Sequence, residues 1–228
     1  MVKKILKPIP ILLLILFIWL FYLLPAISLA EERGIEIRES SMILNSILTF
    51  LILTSIPLSW LYIIDEMNLG KILDYLKLRN REMGKAIAYG IVGFAFIIFF
   101  LVIFAICIKL SGIEYKNPVA KELARTLSLP SIIFIAVIQS SGEEIFFRGF
   151  LMEKLSIGQN KHLGILLSSI LFGFAHMSYG IVYQVILPIL AGIVFGWIVY
   201  KSQNLTSSIV SHISFNLFSM LTAHYLSG

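Results

Sequence analysis

The chain has few of the residues that most cofactor enzymes and nucleic-acid binders depend on. Its one cysteine, Cys107, lies inside an apolar run, so no internal disulfide can form and no cysteine cluster can hold a metal. No polar neighbour in sequence activates Cys107, which reads as a small helix- or lipid-facing residue rather than a nucleophile. Aspartate occurs only at Asp65 and Asp74, both expected in a loop, and this excludes an intramembrane aspartyl pair. No Gly-x-Ser-x-Gly elbow supports serine chemistry at Ser140 or Ser141. Charged residues make up 14% of the chain and gather in a few short stretches, leaving little for a solvated surface. The net charge of +5 is therefore explained by basic loops facing anionic lipid, and nucleic acid is not an expected partner. With no internal repeat and no low-complexity linker, residues 1–228 read as a single integral membrane domain.

Apolar sequence is abundant. Hydrophobic residues make up 58% of the 228, and the mean hydropathy of +0.93 lies well above that of a soluble domain. A bilayer crossing needs about 20 mostly apolar residues. Seven stretches approach that length: residues 9–29, 42–64, 86–110, 130–151, 163–177, 181–200 and 205–226. Their apolar runs are continuous rather than alternating, which predicts helices and excludes barrel strands. The expected fold is an all-α, polytopic transmembrane helix bundle of about seven spans, with room for an eighth. The fifth and sixth stretches, joined only by Ser178, Tyr179 and Gly180, predict a tight helical hairpin.

The first stretch follows Lys3, Lys4 and Lys7 and ends near Ser28-Leu29-Ala30, a pattern shared with secretory signals. Its long apolar core and Pro25 favour an uncleaved first span. With the N-terminus cytoplasmic, eleven Lys and Arg fall on the cytoplasmic side and six on the other. That bias sets the expected orientation. Residues 113–128 are amphipathic enough to lie along the outer interface, and equally compatible with a plain loop.

Against this background Glu143 and Glu144 stand out. An ionisable residue inside a span costs a few kcal/mol or more and by default marks a function. Two adjacent acids cannot both ionise comfortably without partners. Glu144 and Arg148 are four apart and share a helix face, where the guanidinium can hold the carboxylate. Glu143 is rotated about 100° from Glu144 and is expected to project elsewhere. A buried ionic cluster that merely fixes packing accounts for Glu144 and Arg148 but not for Glu143. The next polar groups are His176, in Phe172-Gly-Phe-Ala-His176, and His212 with Asn216, four apart on one face. At about 1.5 Å per residue, Glu143, His176 and His212 lie roughly 18, 21 and 13 Å above the cytoplasmic ends of their helices. They can therefore meet at one level, and Gly142, Gly149, Gly173, Ala175, Gly192 and Gly196 would let the helices approach closely. A carboxylate beside an imidazole can activate water. A second imidazole and an amide can donate to the oxyanion of a tetrahedral intermediate.

The motifs Glu143-Glu144-x-x-x-Arg148, Phe172-x-x-x-His176 and His212-x-x-x-Asn216 closely resemble, in order, those of the CAAX-protease and bacteriocin-processing (CPBP) intramembrane protease family. The best-known branch of that family is the type II CAAX prenyl endopeptidase. The resemblance covers residues 128–226, the expected protease core. It implies a metal-independent, glutamate-type endopeptidase, a hydrolase without a cofactor. Glu143 would be the water-activating base assisted by His176, His212 and Asn216 the oxyanion site, and Glu144 with Arg148 the support. The implied partners are membrane lipid and a peptide or protein substrate with a membrane-associated segment or lipidated C-terminus. The compact length suggests a prokaryotic plasma membrane as the setting of this multi-pass chain. His176 and His212 are only 36 residues apart, closer than in the better-known prenyl endopeptidases, which implies a smaller pocket for a prenylated C-terminus. Compact members are also linked to bacteriocin immunity and peptide processing, so the substrate stays open. Other readings of the same residues are a zinc set of Glu143, His176 and His212, a proton or ion relay in a transporter, and a non-catalytic immunity protein.

Overall fold

The computed structural model describes residues 8–23, 38–78, 82–112, 126–177 and 183–226. Among these residues the chain is helical, with no strand, as continuous apolar runs require when every backbone group must be satisfied within its own segment. All seven stretches singled out by hydropathy contain a helix. Helix α1 (Pro8–Ile18) carries its prolines in the first turn, where a missing N–H costs nothing, and runs on as a π-helical turn, Trp19–Leu23. Helix α2 (Glu39–Ser59) likewise widens into a π turn, Trp60–Ile64. A short helix, α3 (Leu69–Tyr75), follows; its first turn is capped by the Asn68 side chain, which accepts from the Lys71 N–H at 3.0 Å. Asp74 therefore belongs to a helix and not to the loop expected of it.

Helix α4 (Met83–Leu110) is the most apolar of the long helices. Helix α5 (Leu129–Lys154) begins as an α-helix, Leu129–Glu144, opens into a π-helix over Ile145–Leu151 and closes with Met152–Lys154. Helices α6 (Lys161–Phe174), α7 (Tyr183–Ser202) and α8 (Thr206–Leu226) complete the bundle.

Among the described residues, four helical segments are long and apolar enough to cross a membrane: Glu39–Ile64, Met83–Leu110, Leu129–Lys154 and Val185–Ser202. The first and fifth expected spans are shorter helices. Helix α8 has the length, at 21 residues, but carries five serines, two histidines and an asparagine. Several of these polar residues (Ser207, Ser208, Ser211 and His212) are buried, so α8 is an inner, site-lining helix. The Ser178–Gly180 link, the Ser28–Ala30 region and nearly all of the 113–128 segment lie outside the described residues.

Half of the most apolar window of α5 is buried, against 11% for α4, which makes α5 the central helix and α4 a peripheral one. Helix α5 packs between α2 and α8; α6 pairs with α7, and α8 also lies against α4 and α7. Glu39 ties α2 to the start of α5 by accepting from the Ser128 N–H (2.9 Å) and hydroxyl (2.6 Å). Helix α1 is held by Phe17, whose ring lies 4.5 Å from that of Phe146, and by Tyr22, whose hydroxyl donates to the Leu171 carbonyl at 2.8 Å. Lys77, Lys154 and Lys161, three lysines that the sequence assigns to one side of the membrane, come together at one end of the bundle. There Glu153 pairs with Lys77 and Lys161, and Asp65 with Lys154 at 2.5 Å.

Candidate active site

The site forms where α5 meets α6, α7 and α8. Glu144 and Arg148 are fully buried, and the Arg148 Nη1–H donates to Glu144 Oε1 at 3.2 Å. The pairing expected from their spacing is thus present, although Arg148 lies in the π-helical stretch. Such stretches are frequent at functional sites. Arg148 Nε and Nη2 make no hydrogen bond among the described residues. The guanidinium instead lies over the Phe172 ring, 4.2 Å from its centroid, with Phe195 at 5.2 Å and Phe147 at 5.7 Å. Cation–π attraction in a desolvated box is worth about 2 kcal/mol and offsets part of the burial cost.

His212 enters from α8, 4% exposed. Its Nδ1 stands 2.9 Å from Glu144 Oε1, and its Nε2 3.7 Å from Glu143 Oε2. The two glutamates therefore bracket one imidazole. The rotation between them does not send Glu143 to a separate region as expected, because two long side chains can reach opposite nitrogens of the same ring. It gives them different partners. Glu144 is taken up by Arg148 and His212, whereas Glu143, 6% exposed, accepts from Gln139 Nε2 at 3.0 Å and touches His212 only at longer range.

His176 was expected inside a span but sits in the turn just after α6. Its Nδ1 lies 2.8 Å from the Phe172 carbonyl, one of the acceptors a helix C-terminus leaves without an intrahelical donor. A carbonyl only accepts, so Nδ1 carries the proton, and a neutral His176 presents an acceptor lone pair at Nε2. The ring is edge-on to Phe172 at 4.7 Å, and Phe172 lies 5.8 Å from the His212 ring, so one phenyl joins both histidines and Arg148. Glu143, His212 and Arg148 are close enough to act electrostatically on His176. Asn216, one turn beyond His212, donates from Nδ2 to Ser140 Oγ at 3.0 Å.

The structure thus gathers Glu143, Glu144, Arg148 and His212 directly, His176 through Phe172, and Asn216 through Ser140. Gln139 and Phe195 escaped sequence reasoning, and Ser140 entered it only as a candidate nucleophile. Gln139 and Ser140 lie one turn before the glutamates, at four-residue spacings from Glu143 and Glu144 that could have found them. Phe195, whose ring stacks on His212 at 4.7 Å and 25°, carries no local signal. Among the described residues no three of His, Cys, Asp and Glu are grouped as metal ligands.

A carboxylate near two imidazoles and an amide, buried among apolar helices, has the parts for hydrolysis by activated water. Comparison with known proteins bears on the same segment. The family model of the type II CAAX prenyl endopeptidase, Rce1-like, matches residues 125–218, a range that contains Glu143, Glu144, Arg148, His176, His212 and Asn216. No curated protein and no solved structure matches the chain. With its long apolar helices the chain is an integral membrane protein, and its residues 125–218 are similar to the Rce1-like, type II CAAX prenyl endopeptidase family.

Proposed function

We propose that the protein is an intramembrane endopeptidase that cleaves a peptide bond of a membrane-associated substrate with water activated by Glu143, without a metal. The observation that carries the reading is the unequal treatment of the two glutamates. Glu144 is held by Arg148 and His212, while Glu143 has one amide partner and stands at the edge of the cluster. Both donors meet at Glu144 Oε1, and its Oε2, without a hydrogen bond among the described residues, is fully buried; Glu143 is the glutamate with solvent exposure and so the one a water can reach.

The proposed roles need both protons on His212: Nδ1–H donates to Glu144, whose carboxylate can only accept, and Nε2–H is left for an oxyanion. Glu143 takes a proton from water, the hydroxide attacks the scissile carbonyl carbon, and the negative charge moves to the carbonyl oxygen. That oxygen receives hydrogen bonds from His212 Nε2 and Asn216 Nδ2. The His176 Nε2 lone pair accepts from the attacking water and keeps it oriented. The proton held on Glu143 then passes to the departing amine as the C–N bond breaks. Glu144 and Arg148 fix the His212 ring.

The substrate class follows from the setting: a peptide whose end is drawn into the bilayer by an apolar segment or a lipid. The test is incubation of the purified protein in detergent with prenylated and unprenylated peptides, wild type against Glu143→Gln. Cleavage by the wild type alone supports the reading; equal cleavage by both overturns it.

A further inference from the structure

Helix α7 carries none of the three motifs, yet it supplies two of the surfaces that enclose the cluster. Phe195 is fully buried, and its ring lies nearly parallel to the His212 imidazole, 25° between planes and 4.7 Å between centroids. The same ring stands 5.2 Å from the Arg148 guanidinium. One turn earlier, three residues away and on the same face, Gly192 lies against that guanidinium from another side. A Cβ on Gly192 would come within 2.8 Å of Arg148 Nη2 and 3.0 Å of the Ser169 Cβ and Oγ. An arginine tip can normally swing away from such a contact. Here the guanidinium is also bounded by Phe172 at 4.2 Å and by Glu144 at 3.2 Å, in a fully buried site, so moving it means breaking its bond to Glu144.

From this we infer that Phe195 and Gly192 of α7 are positioning residues for the reaction: Phe195 holds the plane of His212, and Gly192 leaves the space in which Arg148 holds Glu144. The inference rests on the endopeptidase reading for its kinetic consequence and on geometry alone for its structural one. Neither residue touches substrate. Both act through His212, which Glu144 anchors at Nδ1 and Phe195 covers on one face. Loss of either constraint lets the ring turn and misdirects Nε2. A misplacement of about 1 Å typically costs about 10²-fold in rate.

The control comes from the same helix. A Cβ on Gly196 would meet Ile165 Cγ2 at 2.9 Å, a crowding comparable to that at Gly192 but against an aliphatic side chain away from the cluster. The experiment compares wild type, Gly192→Ala, Gly196→Ala, Phe195→Leu and Phe195→Tyr in detergent, reading kcat, KM, melting temperature and the ¹H–¹⁵N signals of ¹⁵N-histidine-labelled protein. The His212 Nδ1–H signal is identified by its loss in His212→Gln. Gly192→Ala and Phe195→Leu are expected to lower kcat by about 10²-fold with KM changed by less than about threefold, and to lose or broaden that signal. Phe195→Tyr, which keeps the ring face, is expected to retain the signal and most of kcat. Gly196→Ala, which crowds only Ile165, is expected to keep wild-type kcat and signal. Equal kcat losses in the two glycine variants, or an unchanged His212 signal in both Gly192→Ala and Phe195→Leu, would overturn the assignment. Should the wild type cleave none of the peptides, the endopeptidase reading fails, and the histidine signal still decides whether α7 holds the ring.

Discussion

At the scale of single residues, the proposed roles separate groups that would do chemistry from groups that would hold them. Glu143→Ala and Glu143→Gln should both abolish cleavage while the protein still folds, because the base is lost in either; a residual rate above about a tenth of wild type would contradict the usual 10²–10⁴-fold for such catalysis. Arg148→Ala should behave differently. It strips the buried Glu144 of its cation, and breaking such a pair costs about 3–5 kcal/mol. The expected readout is a lower melting temperature or yield together with lost activity. Asn216 is half-buried and bonded to Ser140 through a neutral amide. Asn216→Ala should therefore slow turnover about 10²–10³-fold, as for one oxyanion donor, with the melting temperature near wild type. If Asn216→Ala unfolds the protein while Arg148→Ala is stable and fully active, the polar residues form a packing network instead.

The helices themselves are held by a small number of polar ties whose removal should be felt in stability rather than chemistry. Tyr22 donates to the Leu171 carbonyl and so fastens α1 to α6, far from Glu143 in sequence. Tyr22→Phe should lower stability by about 1 kcal/mol, the net worth of one hydrogen bond, with kcat retained. Thermal unfolding in detergent, followed beside peptide cleavage, checks both parts. At the other end of α5, Glu153 bridges Lys77 and Lys161, and its side chain is only 13% exposed. Glu153→Ala should cost more, about 1.5–3 kcal/mol for bonds to charged groups, because it leaves the equally secluded Lys77 unpaired there. Between these ends, the π-helical stretch Ile145–Leu151 places Phe146, Phe147 and Phe150 inward together with Arg148, and through those rings α1 and α6 lean on the site.

For the whole molecule, the proposed orientation and metal independence can be tested apart from the substrate. With the N-terminus cytoplasmic, the end of α4 near Ser111 faces outward. In a Cys107→Ser background, Ser111→Cys should react with a membrane-impermeant maleimide in intact cells, and Gly70→Cys should not; the reverse pattern would invert the orientation. Cleavage should survive exhaustive chelation, and zinc that restores activity after stripping, at about one per chain, would favour the metal reading. The sequence by itself determined that the chain is a helical membrane protein, because apolar length and the cost of intramembrane charge are local properties. It also determined that Glu144 and Arg148 pair, since a four-residue spacing survives even the widened π turn. It did not determine which glutamate His212 binds more closely, that His176 sits in a turn and bonds the Phe172 carbonyl, or that α8 is an inner helix. Those depend on how far each helix is rotated and how closely it approaches its neighbours. Only the tertiary structure decided that Phe195 and Gly192, which carry no motif, would close over the imidazole and the guanidinium, because contacts between helices distant in sequence leave no spacing to read.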